Sequence, residues 1–127
     1  APRLKTSGQR VTQKAKVNVT APVRVIAYAL ARRLCAAYSG GFWEFYDLSN
    51  GGFYMAPKGD GKVHVFWSDN FYSGQMSLDA LGIVTFIFTL NAAWDATHDD
   101  RFIEAMDRLK DFASGHEERR EIFRAID

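Results

Sequence analysis

The alternation of apolar and polar residues divides the chain into segments of helix and strand. Between residues 20 and 38, apolar side chains recur every three or four positions, which predicts an amphipathic helix. The hydroxyl of Thr20 and the ring of Pro22 are typical of a helix beginning. The two glycines at positions 40 and 41 predict its end. Residues before Thr20 show little apolar periodicity, so we expect them to form an arm.

Four short segments that follow this helix have the composition of β-strands. They cover residues 42–48, 52–56, 62–68 and 71–76. The first two flank Asn50, Gly51 and Gly52, a sequence typical of a tight hairpin turn. Turn-forming residues also separate the later segments. The spacing predicts an antiparallel meander of three or four strands.

A long apolar helix is predicted after the strands. Ser77 and Asp79 supply a capping hydroxyl and an acidic first turn. From Leu81 to Leu90 the apolar residues cover nearly the whole circumference of a helix. Because a helix that is apolar on all sides is buried, we expect this one to form the centre of the core.

Two further helices complete the predicted fold. Asp99 and Asp100 begin the first of them, Gly115 breaks it, and residues 117–126 form the last helix. The predicted fold class is therefore α+β. An antiparallel meander of three or four strands, residues 42–76, packs against one N-terminal helix and three C-terminal helices.

Charge is unevenly distributed along the 127 residues. Residues 1–20 carry five bases and no acid, and the rest of the chain carries 11 bases and 15 acids, a net charge of −4. A net charge of −4 is too small for a protein that imitates DNA by charge alone, since duplex DNA carries one negative charge per ~1.7 Å of its axis.

The length predicts one domain, residues 21–127, after a basic arm, residues 1–20. The arm supplies the candidate nucleic-acid contacts Arg3, Lys5, Arg10, Lys14 and Lys16.

Cysteine content and hydropathy indicate the compartment. The single cysteine, Cys35, excludes an internal disulfide, which is typical of the reducing cytoplasm. The apolar run at residues 81–90 is shorter than the ~20 residues needed to span a bilayer. We expect a cytoplasmic protein without membrane contact.

Local motifs do not predict an enzyme. His64, His98 and His116 are widely separated, and neither Gly-x-Ser-x-Gly nor a phosphate-binding loop occurs. Helix capping accounts for the acidic pair Asp99 and Asp100. We predict no catalytic residues, no cofactor and no bound metal. A hydrolase site assembled from distant residues remains an alternative.

Six aromatic rings are concentrated in residues 42–54, on both sides of the predicted turn. Exposed rings would mark a surface for a partner, whereas packing in the core is the alternative for each of them. The candidate partner contacts are Trp43, Glu44, Tyr46, Asn50, Tyr54 and Asp127.

Residues 40–57 read Gly-Gly-Phe-Trp-Glu-Phe-Tyr-Asp-Leu-Ser-Asn-Gly-Gly-Phe-Tyr-Met-Ala-Pro. This block closely resembles the signature of the ArdB/KlcA family of antirestriction proteins. The resemblance starts in the first helix with Leu34 and Cys35, continues through residues 70–84, and reaches residues 112–127. The basic arm departs from the segment with which members of that family usually begin.

The resemblance implies an antirestriction protein of a mobile element, such as a plasmid, phage or prophage. Such a protein relieves Type I restriction of incoming DNA, by binding and without mimicking DNA. The expected partner is the host Type I restriction–modification machinery or an associated host protein. Direct DNA binding and the oligomeric state are left open. The alternatives are a nucleic-acid-binding module that uses the arm and a small hydrolase.

Overall fold

The computed structural model describes residues 19–38 and 40–127. The predicted arm lies outside these residues, except for its last two positions. Val19 is fully buried and Thr20 is the N-cap of the first helix, so both belong to the folded part. The elements in chain order are α1 (Ala21–Leu34), β1 (Trp43–Asp47), β2 (Phe53–Pro57), β3 (Lys62–Trp67), β4 (Tyr72–Ser77), α2 (Leu78–Thr97), α3 (Asp100–Ala113) and α4 (Arg119–Ile126).

Helix α2 forms the centre of the core, which confirms the prediction from its apolar circumference. It contacts the other three helices and three of the strands, and most of its residues from Ala80 to Leu90 are fully buried. The hydroxyl oxygen of Ser77 accepts a hydrogen bond from the amide of Ala80 at 3.1 Å and caps the beginning of the helix. At the other end, His98 adopts a left-handed conformation with φ of 57°.

Within the described residues, α2 is the one helix that is long and apolar enough to cross a membrane by length and composition. Most of its apolar stretch lies inside the protein. Its position at the centre of the fold therefore accounts for its composition.

The four strands confirm the α+β class, but they form two separate sheets of two strands each rather than one meander. Strand β1 pairs antiparallel with β2, and β3 pairs antiparallel with β4. Both hairpins contact α2, and they separate because each also packs against a different set of the remaining helices. The first lies on α2 and α3 through β2, whereas the second contacts α1 through β3 and α4 through β4. Between them, the turn at residues 58–61 redirects the chain, with Gly61 at φ of 80°.

Helix α1 ends at Leu34, four residues before position 38, the last residue that the apolar periodicity assigns to it. Cys35 is already extended, and its amide donates to the carbonyl of Ala31 at 2.9 Å. The early end has a packing reason, since Leu34 and Cys35 are buried and the chain then turns so that Tyr38 reaches the first hairpin. Thr20 is the N-cap as expected, although its side chain makes no capping hydrogen bond.

The second hairpin is joined to α4 by a tyrosine–carboxylate pair. The hydroxyl of Tyr72 donates to Glu121 Oε1 at 2.5 Å, and the guanidinium of Arg124 lies 3.3 Å from Glu121 Oε2. Burial of the Tyr72 side chain, followed by its hydrogen bond to Glu121, raises the pKa of this phenol well above its ordinary value of 10.0.

The raised pKa of Tyr72 predicts a specific loss of stability in alkali. Its folded pKa exceeds its unfolded pKa, so its contribution is fully present below about pH 10 and declines as the pH rises further. The urea unfolding midpoint of the parent should therefore fall more steeply between about pH 9.5 and pH 11.5 than that of Tyr72→Phe. Tyr28→Phe on α1 is the matched control and should follow the parent. Parallel curves for Tyr72→Phe and the parent would contradict the assignment.

Candidate partner-binding site

The turn of the first hairpin is held against α3 by Asn50. Its side-chain amide donates to the backbone carbonyl of Arg108 at 2.9 Å, and its Oδ1 accepts from the amide of Gly52 at 2.9 Å. Gly51 adopts φ of 89°, as a turn of the Asn-Gly type requires. Asn50 therefore positions the turn, and its amide is used within the fold.

Trp43 anchors the other end of the hairpin to the segment around α1. Its indole N–H donates to the hydroxyl of Tyr38 at 2.6 Å. Its ring also contacts Tyr28 and Tyr38 edge-on, with centroids 5.3 and 5.7 Å away. The ring is half-buried, so part of its surface remains accessible to a partner.

Glu44 and Tyr46 lie on one face of β1 and border a cleft of about 390 Å³. The hydroxyl of Tyr46 donates to Glu44 Oε1 at 2.6 Å, which holds both side chains together. Asp60 and Asp79 add two further carboxyl groups to the lining, and Lys58 supplies one cation. The cleft is thus polar, with an excess of acidic groups.

A group of hydrogen-bonded side chains lies next to this cleft and includes Asp79 from its lining. Asp79 accepts from the hydroxyl of Tyr54 at 2.6 Å through Oδ1, and its Oδ2 lies 2.8 Å from Nε2 of His116. Beside it, Glu118 accepts hydrogen bonds from the amide and the hydroxyl of Ser77. We call these five residues the Asp79 clasp. It connects β2 and the beginning of α2 to the segment between α3 and α4.

The clasp brings a histidine beside a carboxylate, as the hydrolase alternative requires, but its geometry does not favour that reaction. The amide of Glu118 donates to Nδ1 of His116 at 2.9 Å. Nδ1 is therefore the acceptor, and Nε2 carries the proton that it donates to Asp79. Both ring nitrogens of His116 are engaged within the fold, so neither is placed to take a proton from a substrate.

The candidate residues from the sequence analysis fall into three groups. Trp43, Glu44 and Tyr46 are half-buried along β1, and Asn50 is half-buried in the turn. The prediction that Tyr54 contacts a partner directly needs correction, because this side chain is fully buried. Strand β2 is covered on both faces, and the ring of Tyr54 packs beside Tyr46 and Phe112.

Asp127 is exposed but lies apart from the first hairpin. It borders a different cleft, formed by the β3–β4 turn and the end of α4. The arm candidates Arg3, Lys5, Arg10, Lys14 and Lys16 lie outside the described residues. Within residues 19–38 and 40–127, the structure has no group of three or more side chains arranged to hold a metal ion.

Sequence reasoning missed three features, which are the clasp, the position of Phe71 and the hydrogen bond from Tyr46 to Glu44. The clasp pairs Asp79 with His116 across 37 positions, a separation at which spacing carries no signal. The exposed Phe71 was assigned only to a strand, yet it lies in the turn before β4. A tyrosine two residues after a glutamate on one strand could have indicated the bond from Tyr46 to Glu44.

Comparison with known proteins identifies the family. The sequence model of the family described as "Antirestriction protein" matches residues 36–127. The chain belongs to this antirestriction family. The matched range contains both hairpins, the clasp and helices α2 to α4.

Individual relatives extend the likeness. A protein of Escherichia coli named antirestriction protein KlcA is 52% identical over 99 residues, which cover 75% of this chain and 68% of the relative. A second KlcA from Escherichia coli is 41% identical over 108 residues, covering 80% of this chain and 75% of the relative.

A solved structure also matches this fold. It has a TM-score of 0.81 and 36% sequence identity, and the match covers 94% of each chain. That work describes KlcA and ArdB proteins with a novel fold and with antirestriction activity against Type I DNA restriction systems in vivo but not in vitro.

Proposed function

We propose that this protein relieves Type I restriction inside the cell by binding a host protein, without catalysis. The observation that carries the proposal is the structural match, over 94% of both chains, to proteins with this activity in vivo but not in vitro. An activity that requires the cell points to a further cellular component. That component is the partner we assign to this chain, either part of the restriction machinery or a protein associated with it.

Binding rather than catalysis is supported by the way the polar side chains are used. His116 is engaged at both ring nitrogens, and the Asp79 carboxylate is shared between Tyr54 and His116. These groups stabilise the fold next to the half-buried Glu44 and Tyr46, which share one face of β1 and border the cleft. We place the protein in the cytoplasm, as an accessory protein of mobile DNA.

The proposal is tested by plating unmodified phage on a host that carries a Type I system. Expression of this protein should raise the plating efficiency, and equal efficiency with and without the protein would overturn the proposal. Methylated phage, which the host does not restrict, provides the control for changes in phage growth.

A substitution in the cleft beside β1 tests the role of the first hairpin. Glu44→Gln keeps the shape of the side chain and removes one charge from a cleft rich in acids. If this surface contacts the partner, relief should fall at least about tenfold, since an interfacial charge that loses its counterpart typically costs 2–5 kcal/mol. Glu117→Gln, at an exposed position outside the cleft, is the matched control. Undiminished relief by a stably folded Glu44→Gln variant would exclude Glu44 from the interface.

A further inference from the structure

Phe71 combines two properties that are unusual for a phenylalanine. Its side chain is 82% exposed, and its backbone adopts φ of 59° in the turn between β3 and β4. A bulky residue in the left-handed region is an outlier, because its Cβ crowds the backbone. Glycine or asparagine would adopt the same conformation more easily and would not expose an apolar ring to water. The fold therefore does not require a phenyl ring at this position.

The strained turn is held in place by Asn70. Its side-chain amide donates to the carbonyl of Ala125 at 2.9 Å, and its Oδ1 accepts from the amide of Tyr72 at 2.9 Å. One side chain thus ties the turn both to the end of α4 and to the beginning of β4. The ring of Phe71 is consequently presented from a fixed position, and strain of this kind is concentrated at functional sites.

The surroundings of Phe71 favour a particular class of partner. The ring borders a cleft of about 400 Å³ that also contains Ser73, Arg124 and Asp127. The charge of Arg124 is balanced by Glu121, at 3.3 Å. The exposed carboxylate of Asp127 then leaves the rim of the cleft acidic. An acidic rim repels the phosphates of nucleic acid and complements basic side chains.

We propose that Phe71 anchors a protein-binding surface. Its ring inserts into an apolar pocket on a host protein, and lysine or arginine side chains border that pocket. The proposal rests on the proposed function, and it assigns the partner contact to the β3–β4 turn and the end of α4 rather than to the first hairpin alone. Aromatic anchors in desolvated pockets dominate the energetics of many interfaces, with charged groups at the rim.

The first test separates the effect of losing the Phe71 ring from any effect on the conformation of the turn. Phe71→Asn keeps a residue that tolerates the left-handed conformation, so its thermal midpoint should stay within about 3 °C of the parent. Restriction relief should fall at least about tenfold, whereas Phe71→Tyr, which keeps the ring, should retain it. Val25→Ala, which shortens another exposed apolar side chain, on α1, is the matched control. Full relief by a stably folded Phe71→Asn variant would overturn the proposal.

A second test identifies what contacts the ring and does not depend on relief. A photoreactive phenylalanine analogue is placed at position 71, the restricting host is irradiated, and the adduct is identified by mass spectrometry. The expected product joins position 71 to an apolar peptide next to lysine or arginine in one host protein. An adduct with nucleic acid, an adduct with a second copy of this chain, or no specific adduct would each refute the proposal. If the parent gives no relief at all, the proposed function fails, and this crosslinking result alone decides the role of Phe71.

Discussion

A Phe86→Asp variant should fail to fold. Phe86 is fully buried at the middle of α2, and its ring contacts Phe53 edge-on with centroids 5.8 Å apart. Truncating a buried phenylalanine costs about 3–5 kcal/mol, and an unpaired carboxylate in the same place adds several more. The sum approaches or exceeds the ~5–15 kcal/mol of a typical domain. Circular dichroism should show loss of the cooperative thermal transition.

Two variants separate the effect of the buried charge from other changes to α2. Asn91→Asp introduces the same carboxylate at an exposed position of this helix and should unfold close to the parent midpoint. Phe86→Leu keeps an apolar side chain and should fold with a loss of about 1–2 kcal/mol. A Phe86→Asp protein that melts cooperatively near the parent midpoint would show that α2 is not the central core helix.

The features predicted from the sequence are those determined by short-range interactions. Ser77 and Asp99 cap α2 and α3 through their own side chains, within three residues of the groups they bind. The turn at Asn50 and Gly51 forms as local conformational preference requires. For the same reason, the four strands occur close to their predicted positions. The candidate partner contacts on β1 could be selected from the sequence because its aromatic residues are adjacent, and their role in binding stays a prediction.

The features that the sequence did not reveal depend on contacts between distant segments. The separation into two sheets follows from which helices cover each hairpin, and α1 ends early because Leu34 and Cys35 are buried. Local preference would assign the left-handed conformation of the β3–β4 turn to Asn70. Instead, the Asn70 side chain binds Ala125 and Tyr72, and the left-handed conformation falls on Phe71. The competing long-range hydrogen bond therefore overrides local conformational preference at this turn.

Gly82→Ala should destabilise the protein by about 2–4 kcal/mol, although alanine is the better helix former by ~1 kcal/mol. A Cβ added at Gly82 would lie 2.2 Å from the Cβ of Ala56, 2.5 Å from its Cα and 2.8 Å from the carbonyl oxygen of Met55. Two of these three atoms are backbone, so the clash cannot be relieved by rotating a side chain. Helix α2 and strand β2 would have to move apart. Urea denaturation of the two proteins measures the difference.

A double-mutant cycle tests whether the close approach of α2 and β2 causes the loss of stability in Gly82→Ala. Ala56→Gly removes the nearest clashing atom, so it should recover part of the stability lost in Gly82→Ala, although alone it costs about 0.5–1 kcal/mol. Recovery should be incomplete because the Ala56 Cα and the Met55 carbonyl remain. Combined with Ile122→Val on α4, Ala56→Gly should instead be additive. Additivity with Gly82→Ala as well would mean that α2 and β2 are not packed backbone to backbone, and the position of the hairpin on the core would then have to be revised.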